Sequence, residues 1–261
     1  MLVGRELEYQ IFCRLKDKGL LSGSFLFFGE AQVGKFTFAE ILTRELEGNP
    51  LLLQERIIIQ PDESKIGIDD IRIMKTFLRR RPVLSEFRSV IINQADKMTP
   101  EAQNAALKIV EEPPPYALII FIARNTESLL PTLVSRQKKI YFSRVKEKDI
   151  SHWLITQHQC SEDIAHQIAK ISFGRPGFAL ELLKEANQQQ VFTINLKIPP
   201  IPKKFDSVVE FDDYMKICLA KLYNQKNHNL TPIKIALKRI QASARFNTNK
   251  KLQLQSIPWN H

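Results

Sequence analysis

The chain has 261 residues, of which 44% are hydrophobic and 25% charged. These proportions are ordinary for a globular protein, and no apolar run approaches the roughly 20 residues of a membrane span, so we expect no membrane association. The first residues lack the basic-then-apolar layout of a secretory signal, which predicts a cytoplasmic protein. The formal net charge of +10 favours polyanionic partners, of which nucleic acid is the commonest in the cytoplasm.

The cysteines and histidines predict no metal site. Cys13, Cys160 and Cys218 are odd in number and far apart, which is typical of reduced thiols rather than of a disulfide framework or a zinc site. The five histidines show no ligand spacing with carboxylates. We therefore expect no bound metal at these residues, and no zinc in particular.

Short apolar runs alternate with helical patterns over the first half of the chain. A run that is apolar throughout, with helices on either side of it in sequence, is typical of a strand buried on both faces of a parallel sheet, so the pattern predicts an α/β fold. The predicted strands cover residues 24–29, 51–59, 89–92, 117–123 and 139–142, and the predicted helices cover residues 38–46, 68–78 and 100–110, with one short helical segment before the last strand.

The composition changes after the last predicted strand. Residues 148–185 have helical patterns that are broken at residues 174–177, and residues 197–204 contain three prolines, which exclude both helix and central strand. The expected organisation is an α/β core at residues 1–143, a helical domain at 144–190, a proline-rich linker at 191–204 and a second helical domain at 205–261.

A phosphate-binding loop is predicted at residues 29–35, called the phosphate loop below. These residues fit the first seven positions of the pattern G-x-x-x-x-G-K between a strand and a helix. Gly29 and Gly34 would let backbone N–H groups curl around phosphates, and Lys35 would reach the outer phosphate oxygens. The loop predicts weak binding of ATP or ADP, and the alternative is a glycine turn that merely joins strand to helix.

Two departures from the pattern concern catalysis. The eighth position, where a hydroxyl binds Mg²⁺, is Phe36, and Thr37 reaches that place only if the helix start shifts by one residue, so magnesium binding is doubtful. At the end of the third strand, Asn93 and Gln94 stand where such enzymes carry a metal-binding Asp and a catalytic Glu. Asp96 lies three residues beyond Asn93 in sequence, too far to replace it. We expect poor ATP hydrolysis.

Longer stretches resemble the bacterial clamp-loader subunits of the AAA+ family. Residues 93–114 (NQADKMTPEAQNAALKIVEEPP) resemble the family's D-E-A-D-x-M-T-x-x-A-x-N-A-L-L-K-x-L-E-E-P stretch, and residues 129–137 (LLPTLVSRQ) resemble its L-L-P-T-I-x-S-R-C segment, with Gln137 in place of the cysteine. Residues 174–180 (GRPGFAL) are similar to a G-S-P-G-x-A-L segment of delta-prime subunits, and residues 246–254 resemble the signature of the family's C-terminal collar domain. The resemblance covers most of the chain.

The resemblance implies a fold and a role. The fold would be an AAA+ core with a parallel sheet, a small helical lid and a short helical collar. Arg136 of the S-R-C-like segment would be an arginine finger acting on the ATP site of a neighbouring subunit. The degraded motifs are those of delta-prime subunits, which would make the chain a stator within the DNA polymerase III holoenzyme. Its partners would be gamma/tau-type motor subunits and a delta subunit, the sliding clamp indirectly, and primed DNA through backbone contacts.

Some features depart from the family and leave alternatives open. The family's cysteine-rich zinc module is missing and the collar segment is short. Motor subunits place a sensor arginine near Gly177, and Arg175 is the neighbouring arginine that could substitute for it. One alternative is a competent motor subunit in which Thr37 and Asp96 supply the missing groups. Another is a stand-alone basic DNA-binding module on a relic ATPase fold.

Overall fold

The structure, a computed structural model, describes residues 3–47, 55–62 and 64–188. The chain divides into two units after Lys184, and the described residues lie almost entirely in the first, Met1–Lys184. The predicted linker at residues 191–204 and the C-terminal helical domain at residues 205–261 lie outside the described residues, as do residues 51–54 of the second predicted strand.

A five-stranded parallel sheet forms the centre of this unit. The strands are β1 Gly23–Phe28, β2 Arg56–Ile59, β3 Arg88–Ile92, β4 Ala117–Ala123 and β5 Lys138–Tyr141. They are ordered β2-β3-β4-β1-β5, and every neighbouring pair is parallel. Phe28 at the end of β1 is in register with Ala123 and Tyr141. The carboxyl ends of the strands therefore meet at one edge, where ligands of such sheets bind. The predicted α/β class is confirmed.

Helices cover both faces of the sheet. They are α1 Glu6–Asp17, α2 Lys35–Leu46, α3 Ile68–Leu78, α4 Pro100–Glu111, α5 Pro131–Val134, α6 Glu147–His158, α7 Glu162–Ile171 and α8 Pro176–Gln188, with a 3₁₀ turn at Ala95–Lys97. None of those in the described part of the chain combines the length and apolarity needed to cross a bilayer.

Successive residues of the strands belong to two separate apolar clusters, one on each face of the sheet. Leu26 packs with residues of α3 and α4, whereas Phe25 and Phe27 on the opposite face pack with residues of α1 and α2. This follows from the two-residue period of a strand. The Phe12 ring of α1 lies 5.2 to 5.6 Å from the rings of Phe25, Phe27 and Phe38. Burying each such side chain contributes about 1.5–3 kcal/mol, so α1 is held by its apolar face.

The beginning of α4 agrees with the sequence expectation. The Thr99 hydroxyl accepts a hydrogen bond from the Ala102 N–H at 3.2 Å, and Pro100 occupies the first helical position. Both features satisfy the backbone donors that a helix N-terminus leaves open. Thr99 is the N-cap of α4, and the predicted helix start at residue 100 is confirmed.

The residues after β5 form α6, α7 and α8. Helix α6 ends at His158, and the next residue, Gln159, has a left-handed backbone with φ 51°. The Val145 N–H donates to the Gly174 carbonyl at 2.8 Å, which ties the segment before α8 to the exit from β5. Residues up to Lys184 share one unit with the sheet, so the domain boundary at residue 143 stays a prediction.

Candidate nucleotide site

A cavity of about 350 Å³ lies at the carboxyl edge of the sheet. One wall is the phosphate loop with the first turn of α2, and another is formed where β3 and β4 end. Trp153 of α6 and the beginning of α8 close the remaining side, with Leu180 among the lining residues. The cavity therefore has a polar floor next to backbone N–H groups and an apolar wall opposite, the combination typical of nucleotide sites.

The two glycines of the phosphate loop have backbone conformations that other residues rarely adopt. Gly29 has φ 142° and Gly34 has φ 95°, and Gly34 leads directly into α2 at Lys35. A Cβ on Gly29 would collide with the backbone oxygen of Phe142, whereas a Cβ on Gly34 would meet open space. The loop is thus shaped to present N–H groups at a helix N-terminus, which is an anion-binding arrangement.

Lys35 is folded back onto its own loop. Its Nζ atom donates to the carbonyl oxygens of Gly29 at 2.6 Å and Glu30 at 2.5 Å, and the residue is 7% exposed. Burial lowers the pKa of the Lys35 ammonium to about 8; the Asp96 carboxylate opposes this shift, Arg124 and Arg5 add to it, and Glu30 opposes it. An anion in the cavity would restore the proton affinity that burial removes.

Arg5 is a second buried cation at the cavity, and no sequence pattern indicates it. Its Nη2 atom donates to the backbone oxygens of Val33, at 3.1 Å, and of Ser143. Its Nη1 atom pairs with Glu8 at 2.9 Å, and its guanidinium lies over the Phe142 ring at 4.9 Å. Arg5 therefore positions the phosphate loop against the end of β5, and it lines the cavity itself.

Asp96 lines the same cavity as Asn93 and Gln94. The chain turns sharply after β3, because Gln94 has a left-handed backbone with φ 55° and the 3₁₀ turn Ala95–Lys97 follows. The three-residue separation along the sequence predicts that Asp96 lies too far from Asn93 to replace it, and it gives no sign that Asp96 reaches the cavity. The turn brings it to the cavity, where its carboxylate attracts the Lys35 ammonium.

The residues present do not fit a magnesium ion. Helix α2 begins at Lys35, so no shift of the helix start moves Thr37 into the place of Phe36. Both residues line the cavity, and Asp96 is the one carboxylate among its described lining residues. Nor does the described part of the chain contain a cluster of His, Cys, Asp and Glu suited to a metal. At nucleotide sites the protein holds Mg²⁺ through a loop hydroxyl and a carboxylate after the strand, with water and phosphates as the other ligands; here Phe36 and Asn93 stand at those two places.

The start of α8 is bonded directly to the phosphate loop. The Gly177 N–H donates to the Gln32 carbonyl at 3.0 Å, and the Gln32 amide donates to Glu181 at 2.7 Å. A Cβ on Gly177 would lie 3.0 Å from the Gln32 Cβ atom. Nearby, Arg144 makes a two-pronged ion pair with Glu30 at 2.7 to 3.1 Å.

Arg175 does not take the place of a sensor arginine. The residue is 3% exposed, its Nε atom donates to the Ser172 carbonyl at 3.3 Å, and its guanidinium lies over the Phe178 ring at 4.9 Å. It is not among the lining residues of the cavity. The suggestion that Arg175 substitutes geometrically is therefore wrong.

Arg136 lies away from the cavity, just after α5. Its Nη1 atom donates to the Thr132 carbonyl at 2.9 Å, and its Nε atom pairs with Glu111 of α4 at 3.2 Å. The side chain is 35% exposed. Its neighbour Gln137 is buried, with its amide 3.4 Å from the Ser24 hydroxyl, so the residue that replaces the family's cysteine belongs to the interior.

Comparison with known proteins agrees with this geometry. The family described as "DNA polymerase III, delta subunit" matches residues 49–146. The delta' subunit of DNA polymerase III from Escherichia coli is 32% identical over 133 residues, which are 50% of this chain and 40% of the relative. Over these residues the chain is similar to clamp-loader subunits of DNA polymerase III. The gamma/tau subunit from Mycobacterium tuberculosis is 33% identical over 139 residues, 46% of this chain and 24% of the relative.

Solved structures of AAA+ proteins have a similar fold. A gamma subunit-related protein of Thermotoga maritima aligns with a TM-score of 0.53 at 21% identity, over 94% of this chain and 96% of that one. The RuvB Holliday junction branch migration motor of the same organism aligns with a TM-score of 0.61 at 15% identity, over 95% and 83% of the two chains. At these identities the likeness concerns the fold alone. The chain spans about a quarter to half of the curated relatives it matches.

The fold brings some of the predicted site residues together and separates another. Gly34, Lys35 and the exposed Thr37 line the cavity, and Gly29 lies beside it as an acceptor of the Lys35 ammonium. Arg136 lies at a different place, after α5. The roles of all five residues stay predictions.

Proposed function

We propose that the chain is a clamp-loader subunit of DNA replication that serves as a stator: it takes part in loading a sliding clamp on primed DNA without hydrolysing ATP itself. The observation that carries this proposal is the composition of the cavity. The phosphate loop keeps the glycines and the lysine of the phosphate-binding pattern, while Phe36, Asn93 and Gln94 line the cavity at the places of the metal-binding and catalytic groups. Amides carry no charge at any accessible pH and cannot act as a general base.

The expected loss of rate is large. General-base catalysis typically contributes about 10² to 10⁴ in rate, and the metal ion contributes further by neutralising charge on the transferring phosphoryl group. A cavity that lacks both sets of groups binds phosphate without a means of activating water. The isolated chain should therefore show no magnesium-dependent turnover above background.

Contacts between the phosphate loop and α8 support the rigid role. In motor subunits of the family the lid is expected to respond to nucleotide through a sensor arginine. Here the Gly177 N–H and Glu181 are bonded to Gln32 of the loop, and Glu30 of the loop pairs with Arg144 at the exit from β5. These bonds are made by the chain's own groups, which suits a subunit in which α8 stays on the loop.

Arg136 is proposed as the residue through which the stator acts. Glu111 and the Thr132 carbonyl hold the guanidinium near the surface and away from the chain's own cavity. An exposed, oriented arginine at this place suits a finger that enters the ATP site of an adjoining motor subunit. Fingers of this kind contribute about 10³ to 10⁵ in rate.

The proposed setting follows from the relatives. The partners would be gamma/tau-type motor subunits and a delta subunit of DNA polymerase III, in the cytoplasm. Contacts with the sliding clamp would be indirect, and those with primed DNA would involve only the phosphate backbone. ATP or ADP would occupy the cavity as a bound ligand rather than as a substrate.

A competent ATPase is the second candidate, because Asp96 lies in the cavity together with Lys35. ATP turnover by the isolated full chain, with and without Mg²⁺, separates the two functions. The stator predicts the same background rate for the chain and its Asp96→Asn variant. Magnesium-dependent turnover that Asp96→Asn abolishes would overturn the stator and establish the ATPase.

A further inference from the structure

The charged groups of the cavity are unusual for a site that handles nucleotide with a metal ion. Arg5, Lys35 and Arg124 line it together with a single acid, Asp96, which gives the lining residues a formal charge of +2; Glu8, which is not a lining residue, pairs with Arg5 at 2.9 Å. Arg5 and Lys35 are almost fully buried, at 2% and 7% exposure, so their charges are weakly screened by solvent. The cavity therefore attracts anions without help from a bound cation.

A ligand would engage the hydrogen-bond donors of these cations. Lys35 is bonded to two carbonyl oxygens of its own loop, and phosphate oxygens would be better acceptors because they carry charge. The Nε atom of Arg5 is buried without a hydrogen-bond partner, although its other nitrogens are engaged. Arg124 is exposed at the end of β4, next to the loop, where the Gly29 N–H donates to its carbonyl at 3.1 Å.

A metal ion has no place among these groups. Among the lining residues, Phe36 stands where the hydroxyl ligand of the metal is usually found, and Asn93 stands where the carboxylate ligand is usually found. A magnesium ion brought in by a nucleotide would lie in a positive field with only water and phosphate as ligands. It would also cancel part of the negative charge that Arg5, Lys35 and Arg124 attract.

We propose that the cavity binds the phosphates of a nucleoside di- or triphosphate without a divalent cation, with Arg5, Lys35 and Arg124 supplying the positive charge. The proposal rests on the proposed function to the extent that the phosphate loop is taken as a nucleotide site. It goes further by stating which form of the ligand is bound. The metal-free nucleotide binds at least as tightly as its magnesium complex, and the bound ligand stays unhydrolysed because nothing in the cavity activates water.

Isothermal titration calorimetry of the full chain with ADP tests the proposal. One titration contains millimolar MgCl₂ and the other contains EDTA, at equal ionic strength because surface charges are screened by salt. The expected result is an ADP dissociation constant that is unchanged or smaller in EDTA. A dissociation constant ten times larger in EDTA, or no binding at millimolar ADP in either buffer, would overturn the proposal.

Two variants assign the binding to this cavity. Lys35→Met should weaken ADP binding at least about tenfold, whereas Lys108→Met, an exposed position on α4, should leave it unchanged. Arg124→Gln should weaken binding about threefold and, being exposed, should not disturb folding. A thermal melt of each ligand-free variant checks the fold. If both cavity variants fold and bind ADP like the parent chain, the proposed site is wrong.

The proposed stator function is tested separately from the metal-free nucleotide site. A chain that binds no ADP overturns the magnesium-free site and leaves the stator intact, because Arg136 lies outside the cavity. A chain that hydrolyses ATP with Mg²⁺ overturns the stator, whatever its affinity for metal-free ADP.

Discussion

Replacing Gly177 by alanine tests how closely α8 lies on the phosphate loop. An added Cβ would stand 3.0 Å from the Gln32 Cβ atom, 3.2 Å from its carbonyl oxygen and 3.3 Å from its Cα atom. Alanine gains about 0.5–1 kcal/mol over glycine within a helix, while overpacking costs about 1–3 kcal/mol. The crowded neighbour is mainly backbone, and its carbonyl is held by the Gly177 N–H, so the clash should outweigh the gain. We expect a net loss of about 1 kcal/mol in the free energy of unfolding.

The loss corresponds to a fall of about 2–4 °C in the melting temperature of a unit of this size, and urea denaturation measures it directly. Gln32→Gly provides the matched background, because it removes the crowded Cβ atom and relieves the positive φ of 63°. Gly177→Ala should cost less in that background. A Gly177→Ala variant of the otherwise unchanged chain that is as stable as the parent would refute the reasoning.

Three further predictions concern stability. Thr99→Ala should cost about 1 kcal/mol in urea denaturation, because the Ala102 N–H loses its cap; an unchanged midpoint would contradict this. Glu55 is 1% exposed, and burial by itself would raise the pKa of its carboxyl group. The carboxylate accepts hydrogen bonds from the Ser85 hydroxyl and from the backbone N–H groups of residues 83–85. These bonds outweigh burial and lower the pKa. The ionised carboxylate therefore stabilises the fold above the ordinary pKa of glutamate, and this stabilisation is lost as the pH falls. Glu55→Gln should lower the free energy of unfolding by about 2 kcal/mol at pH 7 and by less in acid. A pH-independent difference between the two urea midpoints would argue against that assignment. Arg144→Ala should cost less than about 1 kcal/mol, since the Glu30 pair is exposed, yet it should speed hydrogen exchange in the phosphate loop; unchanged exchange there would show that the pair does not hold the loop against the exit from β5.

Apolar periodicity predicted the bounds of those elements whose buried residues are consecutive or regularly spaced. Strand β4 is buried at every residue and helix α3 has a regular apolar face, and both have the predicted bounds. Strand β5 is displaced by one residue, because Phe142 is buried after the last ladder position rather than within the strand. Helix α1 was not predicted, since its exposed Leu7 and Ile11 obscure the stripe that buries Phe12.

The candidate site was predictable only where its residues are consecutive. The phosphate loop follows from one sequence pattern, because its chemistry depends on neighbouring backbone groups. Arg5 reaches the loop through Val33 and through Ser143, 138 residues away in sequence, a proximity that depends on the packing of α1. Asp96 reaches the cavity through the left-handed backbone of Gln94, which spacing along the sequence does not indicate.

ATP turnover by gamma/tau-type motor subunits, reconstituted with this chain, a delta subunit, sliding clamp and primed DNA, tests the central claim most directly. Arg136→Ala is compared with Arg72→Ala, a control that removes another surface arginine paired with an acid, here Asp69 at 2.6 Å. The account predicts that Arg136→Ala lowers turnover at the adjoining site at least about tenfold, while Arg72→Ala has no effect and the isolated chain is inactive in all forms. Unchanged turnover in a fully assembled complex carrying Arg136→Ala would contradict the arginine finger.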